Sequence, residues 1–291
     1  MTTRGPVAGS SGPTVLRMLL GIHLRRLREA RGISREDAGS RIRSSESKIS
    51  RMELGRVSFK QRDVADLLSL YGLDDEDERA RLLALAREAN APAWWNRYGD
   101  VLPNWFHAYV GLEAAASLIR TYEVQFVPGL LQTRDYARAV VLLGHPRAPE
   151  PEVRDRVDLR IDRQQVLSRP DPLRIWTVID ESALRRPVGG ATVMRGQIEA
   201  LMAAAKRPNV RLQVIPFEAG GHAAAGGSFS ILRFPDPELS DVVYIEQLTG
   251  AVYLDKPGDV DQYALAMEVL CIEAEPPGRT LDVLAAILDE L

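Results

Sequence analysis

Apolar residues recur at helical spacing near the start of the chain. Leu16, Leu19, Leu20, Leu24 and Leu27 form one stripe, with Arg25, Arg26, Arg28 and Arg31 between and beyond, and Gly32 stops it. Ser34 then offers a cap, and Glu36 and Asp37 suit the positive end of a short second helix reaching Ile42. A third helix is predicted from the cap Ser45 to Glu53, closed by Leu54 and Gly55. Ser58 can cap a fourth, with Val64, Leu67, Leu68 and Tyr71 inward and Gly72 at its end. The acidic run 74–78 fits the first turn of a fifth, which carries Leu82, Leu83, Leu85 and Ala86.

After Ala91 and Pro92 the texture changes. Trp94, Trp95, Trp105, Phe106 and Tyr109 bring aromatics together, either as a pocket wall or as packing at a domain junction. A strand over 122–127, a helix over 134–143 and a charged helix over 150–167 follow. Strands are predicted over 173–179, 210–216, 229–234, 242–248 and 251–254, with a helix over 192–206 and closing helices over 259–274 and 280–291. The fold class expected is α+β: an all-α five-helix N-terminal domain (15–90), then a mixed α/β C-terminal domain with a small sheet (91–291).

Charge sharpens this division. Val15 to Lys60 holds twelve Lys/Arg against five Asp/Glu, although the 291-residue chain carries a net −3. A basic module on an acidic body is the asymmetry expected when one part alone meets phosphate. The single cysteine, Cys271, excludes a disulfide framework and a cysteine-clustered zinc site, and its apolar neighbours make it a small core residue. Residues 1–14 are rich in Gly, Ser and Pro and read as a disordered tail, not a signal peptide. No run is apolar enough to span a bilayer. A cytoplasmic, nucleoid-associated protein is expected, with no membrane partner.

The chemistry centres on residues 34–56. Two helices that cross closely need a small residue, and Gly39 supplies it. Ile49 and Met52, three apart, face inward together. Glu46, Ser47, Lys48, Ser50 and Arg51 are left as a polar surface that a major groove can accept. An arginine can reach guanine O6 and N7, a serine several base edges, and a glutamate a cytosine amine or merely the helix N-terminus. Arg43, Ser45, Arg56 and Lys60 are candidates for phosphate contacts, which position without specifying. Arg28 and Glu53 are candidates for a structural ion pair between the first and third helices.

With those residues in view, positions 20–72 resemble Xre-type helix-turn-helix repressors, most specifically over Ser47–Arg56. Ala38 stands where that family usually has a larger aliphatic residue, and Arg43 where a turn glycine is common. The later segments 122–133 and 244–247 are similar to actinobacterial Scr1-family, antitoxin-like regulators, a group that includes WhiJ-like developmental regulators. The resemblance implies a double-stranded DNA operator, a homodimer, and a C-terminal domain that senses an effector or binds a small partner protein encoded alongside.

Weaker signals leave other roles open. The loop with Gly221, His222 and Ser228 could cradle a ligand or partner, but it lacks a dinucleotide fingerprint. No nucleophile elbow surrounds Ser228, and the remaining histidines lack metal-ligand spacing. No enzyme activity, cofactor or metal is therefore expected. Glu181 and Glu246 are candidates for structural pairing with Arg185 and Arg186. Two alternatives to a DNA-reading regulator stand: a protein-interaction module sequestering a small partner, and a ligand-gated sensor.

Overall fold

The computed structural model describes residues 13–224 and 226–291. The expected tail therefore lies outside the described residues through position 12, whereas Pro13 and Thr14 already belong to the first helix. The described chain forms two compact units. One comprises residues up to Asn96 with Ala108–Ala115 and Asp236–Leu239; the other comprises Arg97–His107, Ala116–Pro235 and Ser240–Leu291.

The first unit is built on five helices: α1 (Pro13–Ala30), α2 (Arg35–Arg41), α3 (Glu46–Glu53), α4 (Gln61–Leu70) and α5 (Glu76–Glu88). Their inward positions meet in one core that includes Leu20, Leu24, Ile49, Met52, Leu67 and Leu68. The caps follow local chemistry. Ser34, Ser45 and Asp75 each accept a backbone N–H of the first turn they open. Ser58 does not cap α4. That helix starts three residues later, behind Lys60, with no side-chain cap. Phe59, almost fully buried, occupies the approach instead, and its backbone pairs with the Asn90 side chain.

Next come α6 (Asn104–Ala115), β1 (Leu118–Glu123), α7 (Arg134–Gly144), α8 (Glu150–Arg163), β2 (Arg174–Asp180), α9 (Glu181–Arg185) and α10 (Ala191–Ala204). The chain closes with β3 (Val210–Ile215), β4 (Phe229–Arg233), β5 (Val242–Gln247), β6 (Gly250–Leu254), α11 (Pro257–Glu273) and α12 (Thr280–Asp289). Strand β1 lies four residues earlier than the expected 122–127. Beyond Glu123 the chain turns away, with the Val127 N–H donating to the Tyr136 hydroxyl and residues 129–131 forming a 3-10 turn. Helix α6 escapes the periodicity because apolar residues run all round it. Helix α9 is too short to show a period.

The six strands form one sheet in the order β3-β2-β1-β4-β5-β6. Strands β1, β2 and β3 run parallel, and β4, β5 and β6 add antiparallel neighbours. The connections β1–β2, through α7 and α8, and β2–β3, through α9 and α10, step the same way across the sheet. Right-handed crossovers then place those helices on one face. Helix α11 covers the other face, where Val260, Met267 and Leu270 meet Tyr122, Val178, Ile231 and Val243.

Two residues of the helical unit depart from local rules. Arg43 has a φ of 53°, the sole non-glycine residue in left-handed backbone among the described residues. The Tyr71 hydroxyl is buried without a hydrogen-bond partner. Arg43→Gly is expected to raise unfolding stability by about 0.5–1 kcal/mol, the relieved strain less the entropy glycine adds to the unfolded chain. Tyr71→Phe is expected to melt at or above the parent temperature, since no bond is lost. Thermal unfolding of the two variants checks both, and a clear drop in either contradicts the assignment.

Candidate nucleic-acid interface

The α2–turn–α3 segment forms because each piece supplies what the next needs. Helix α2 packs Ala38 and Gly39 inward. A Cβ at Gly39 would lie 2.8 Å from the Ser44 carbonyl oxygen, so only glycine lets the turn fold back this closely. The Ser44 N–H donates to the Gly39 carbonyl at 2.8 Å and fixes that return. Ser45 then accepts the Lys48 N–H at 3.2 Å and starts α3.

Helix α3 is anchored from behind. Ile49 and Met52 are each 1% exposed, and Glu53 is buried beside them. The Glu53 carboxylate accepts from Arg28 Nε at 2.5 Å and Nη2 at 3.1 Å, and from Arg35 Nε at 3.0 Å. Arg28 also donates to the Ile33 carbonyl at 2.8 Å. The hydrogen bond that Arg28 donates to Glu53 holds its guanidinium above its ordinary pKa. Burial, with Glu53 adding to it, drives the nearby Tyr71 phenol upward. Gly21 completes the joint: a Cβ there would lie 2.5 Å from the Glu53 carbonyl oxygen. Arg35 and Gly21 went unremarked in the sequence. A glycine inside the α1 leucine stripe was the one available signal.

The opposite side of α3 is open. Glu46, Ser47 and Arg51 are exposed and Ser50 is half-buried, with no large apolar side chain among them. Arg51 lies back along the helix, Nε donating to the Ser47 carbonyl at 3.4 Å. Lys48 is different: its ammonium meets Asp63 of α4 at 2.7 Å. Arg43, Ser45, Arg56 and Lys60 are all exposed around the ends of α3 and at the start of α4.

In the sheet unit, the glycine-rich loop does not bring His222 and Ser228 together. Ala224 N–H donates to His222 Nδ1 at 3.3 Å, which leaves the neutral ring's proton on Nε2. That nitrogen sits 3.0 Å from the Tyr122 hydroxyl and 3.5 Å from Asp180 Oδ2. Ser228 Oγ instead accepts the Val124 N–H at 3.2 Å. Gly221 is exposed, with open space around its Cα. Arg185 pairs with Glu181 and Glu290, while Glu246 accepts the Tyr244 hydroxyl at 2.9 Å. The aromatics divide between units: Trp94, Trp95 and Tyr109 in the first, Trp105 and Phe106 in the second. Among the described residues no group of histidines, cysteines and carboxylates could hold a metal ion, and no helix is long and apolar enough to cross a membrane.

Glu123 is half-buried at the end of β1, and desolvation pushes its carboxyl up to about 8 from an ordinary 4.5. Between those values the unfolded chain has released this proton while the folded chain keeps it. Its contribution to stability therefore declines as pH rises through that window. Glu123→Gln is expected to gain on the parent in melting temperature between about pH 5 and pH 8. A constant difference across that range would contradict the raised carboxyl.

Comparison with known proteins gives two family matches. Residues 19–82 match a helix-turn-helix domain, a stretch that runs from α1 into α5 and includes the α2–α3 pair described above. Residues 106–286 match the family described as Domain of unknown function (DUF5753). No curated protein and no solved structure matches the chain. The helix-turn-helix domain points to DNA binding and to transcription regulation. With the second match covering well over half of its length, the chain belongs to the DUF5753 family and carries a helix-turn-helix domain ahead of that region.

Proposed function

We propose that the protein is a sequence-specific transcription regulator of the Xre type that places α3 in the DNA major groove. The observation that carries this reading is the two-sidedness of α3. Its inner side is locked by Ile49, Met52 and the Glu53 ion pairs, and its outer side offers Glu46, Ser47, Ser50 and Arg51. Arg51, exposed and bound only to a carbonyl of its own helix, is free to take guanine O6 and N7. Lys48 enters the groove only by giving up Asp63, and otherwise braces α3 against α4. Arg43, Ser45, Arg56 and Lys60 flank the helix and supply phosphate contacts that set register without reading sequence.

The reading extends to the whole molecule. Two copies related by a two-fold axis read half-sites about one helical turn, or a multiple, apart. The sheet unit mediates that dimer and binds an effector or a small partner protein, in keeping with the likeness to Scr1-family, antitoxin-like regulators. The protein works at the nucleoid and does no chemistry of its own.

Selection of genomic fragments by the purified protein, followed by titration at several salt concentrations, tests this. Arg51→Ala is expected to relax preference at one base pair per half-site, at a cost of about 1–3 kcal/mol. Lys60→Ala is expected to weaken all sequences alike and to lower the salt slope by about one. Unchanged operator preference in Arg51→Ala would overturn the groove assignment. Absence of any salt-dependent DNA binding would favour a scaffold that only sequesters a partner.

A further inference from the structure

The face of the sheet that lies under α7, α8 and α10 is unexpectedly polar. Register places Thr177, Thr121, Ser230 and Tyr244 in one row across β2, β1, β4 and β5. Ser230 donates to Thr121 at 2.9 Å, but the Thr177 hydroxyl is fully buried with no partner. A purely structural core would favour apolar residues at such positions. Two residues beyond this row, on the same face, stand Glu123 of β1 and Glu246 of β5. Among the described residues Glu123 has no cationic partner. Its neighbours are the Thr121 and Ser228 hydroxyls and the charge of Glu246.

Helix α8 presents the opposite charge. Among the described residues Arg160 has one hydrogen bond, from Nη1 to the neutral Gln132 Oε1 at 3.1 Å, and no carboxylate within ion-pair distance. Gln132 is itself fixed by donating to the Val127 carbonyl at 2.6 Å. Arg163, one turn on, adds a second positive charge, its guanidinium stacked over Phe106. Glu246 and Arg160 are near enough to feel one another. Glu123 and Arg160 are both half-buried, and the Tyr136 phenol lies near enough to both to feel each charge.

We propose that the space between these groups binds a small zwitterion, a free amino acid or the oppositely charged ends of a short peptide. Arg160 takes its carboxylate and Glu123, with Glu246 at the rim, takes its ammonium. Each pole has only neutral hydrogen-bond partners and so carries an unmet electrostatic demand. Burial and Arg163 bring the Arg160 guanidinium down to about 10, and burial brings Glu123 up to about 8. A ligand bearing both charges relieves both at once, whereas a simple anion or cation relieves one and leaves the other. This inference is independent of the groove reading: it concerns the sheet unit alone, and either can fail without the other.

The test is thermal unfolding of the full chain with each of the twenty free amino acids and a set of glycyl dipeptides at about millimolar concentration. At least one is expected to raise the melting temperature by several degrees. Its N-acetyl and carboxamide derivatives, each lacking one charge, should lose most of the shift. Dipeptides shifting where free amino acids do not would assign the site to peptide ends. Arg160→Gln and Glu123→Gln should each abolish the response. Should Arg160→Gln fail to fold, Glu123→Gln, which keeps the size of the side chain and removes its acid, supplies the same readout. No shift anywhere in the panel, equal shifts with the derivatives, or a response that survives Glu123→Gln would overturn the proposal.

Discussion

One buried carboxylate sets the geometry of the helical unit. Glu53 ends α3, and its two oxygens take Arg28 from α1 and Arg35, the first residue of α2. Three helices thus share a single charge centre. A buried ion pair contributes little net stability compared with apolar packing, because desolvation offsets most of the attraction. What it enforces is angle and register, since any other placement of α3 leaves a guanidinium or the carboxylate uncompensated at several kcal/mol. Gly21 and Gly39 make the arrangement sterically possible by letting backbone meet backbone. The outward surface of α3 is therefore the remainder after these constraints are met, and it is polar.

The sheet unit obeys a different logic. Its α11 face is an ordinary apolar core, but its other face carries hydroxyls and carboxyls in register with one another. Strand β1 stands where the parallel half of the sheet meets the antiparallel half. The chain leaves its end for the turn that positions Gln132, and β4 returns beside it through the glycine-rich loop. Glu123 sits at the end of that strand, paired with Ile179 of β2 but one residue past the last β1–β4 pair, Tyr122 with Phe229.

Much of this was legible in the sequence. The helices of the first unit follow from leucine spacing and from the caps Ser34 and Ser45, because local hydrogen bonds decide both. The inward roles of Ile49 and Met52 follow from spacing alone. What stayed hidden depends on distant residues. Asp63 claims Lys48, Arg35 joins Glu53, and Phe59 displaces the Ser58 cap, and none of these is encoded in the local period. The polar row under α8 was equally out of reach. Thr121, Thr177, Ser230 and Tyr244 are unremarkable apart from their register, which only the assembled sheet supplies.

The most direct test of the central claim is methylation interference on genomic fragments selected by the purified protein. If α3 reads the major groove, methyl groups at guanine N7 should block binding in two short half-sites about one helical turn, or a multiple, apart. Interference confined to adenine N3, which lies in the minor groove, or no interference on tightly bound fragments would contradict it.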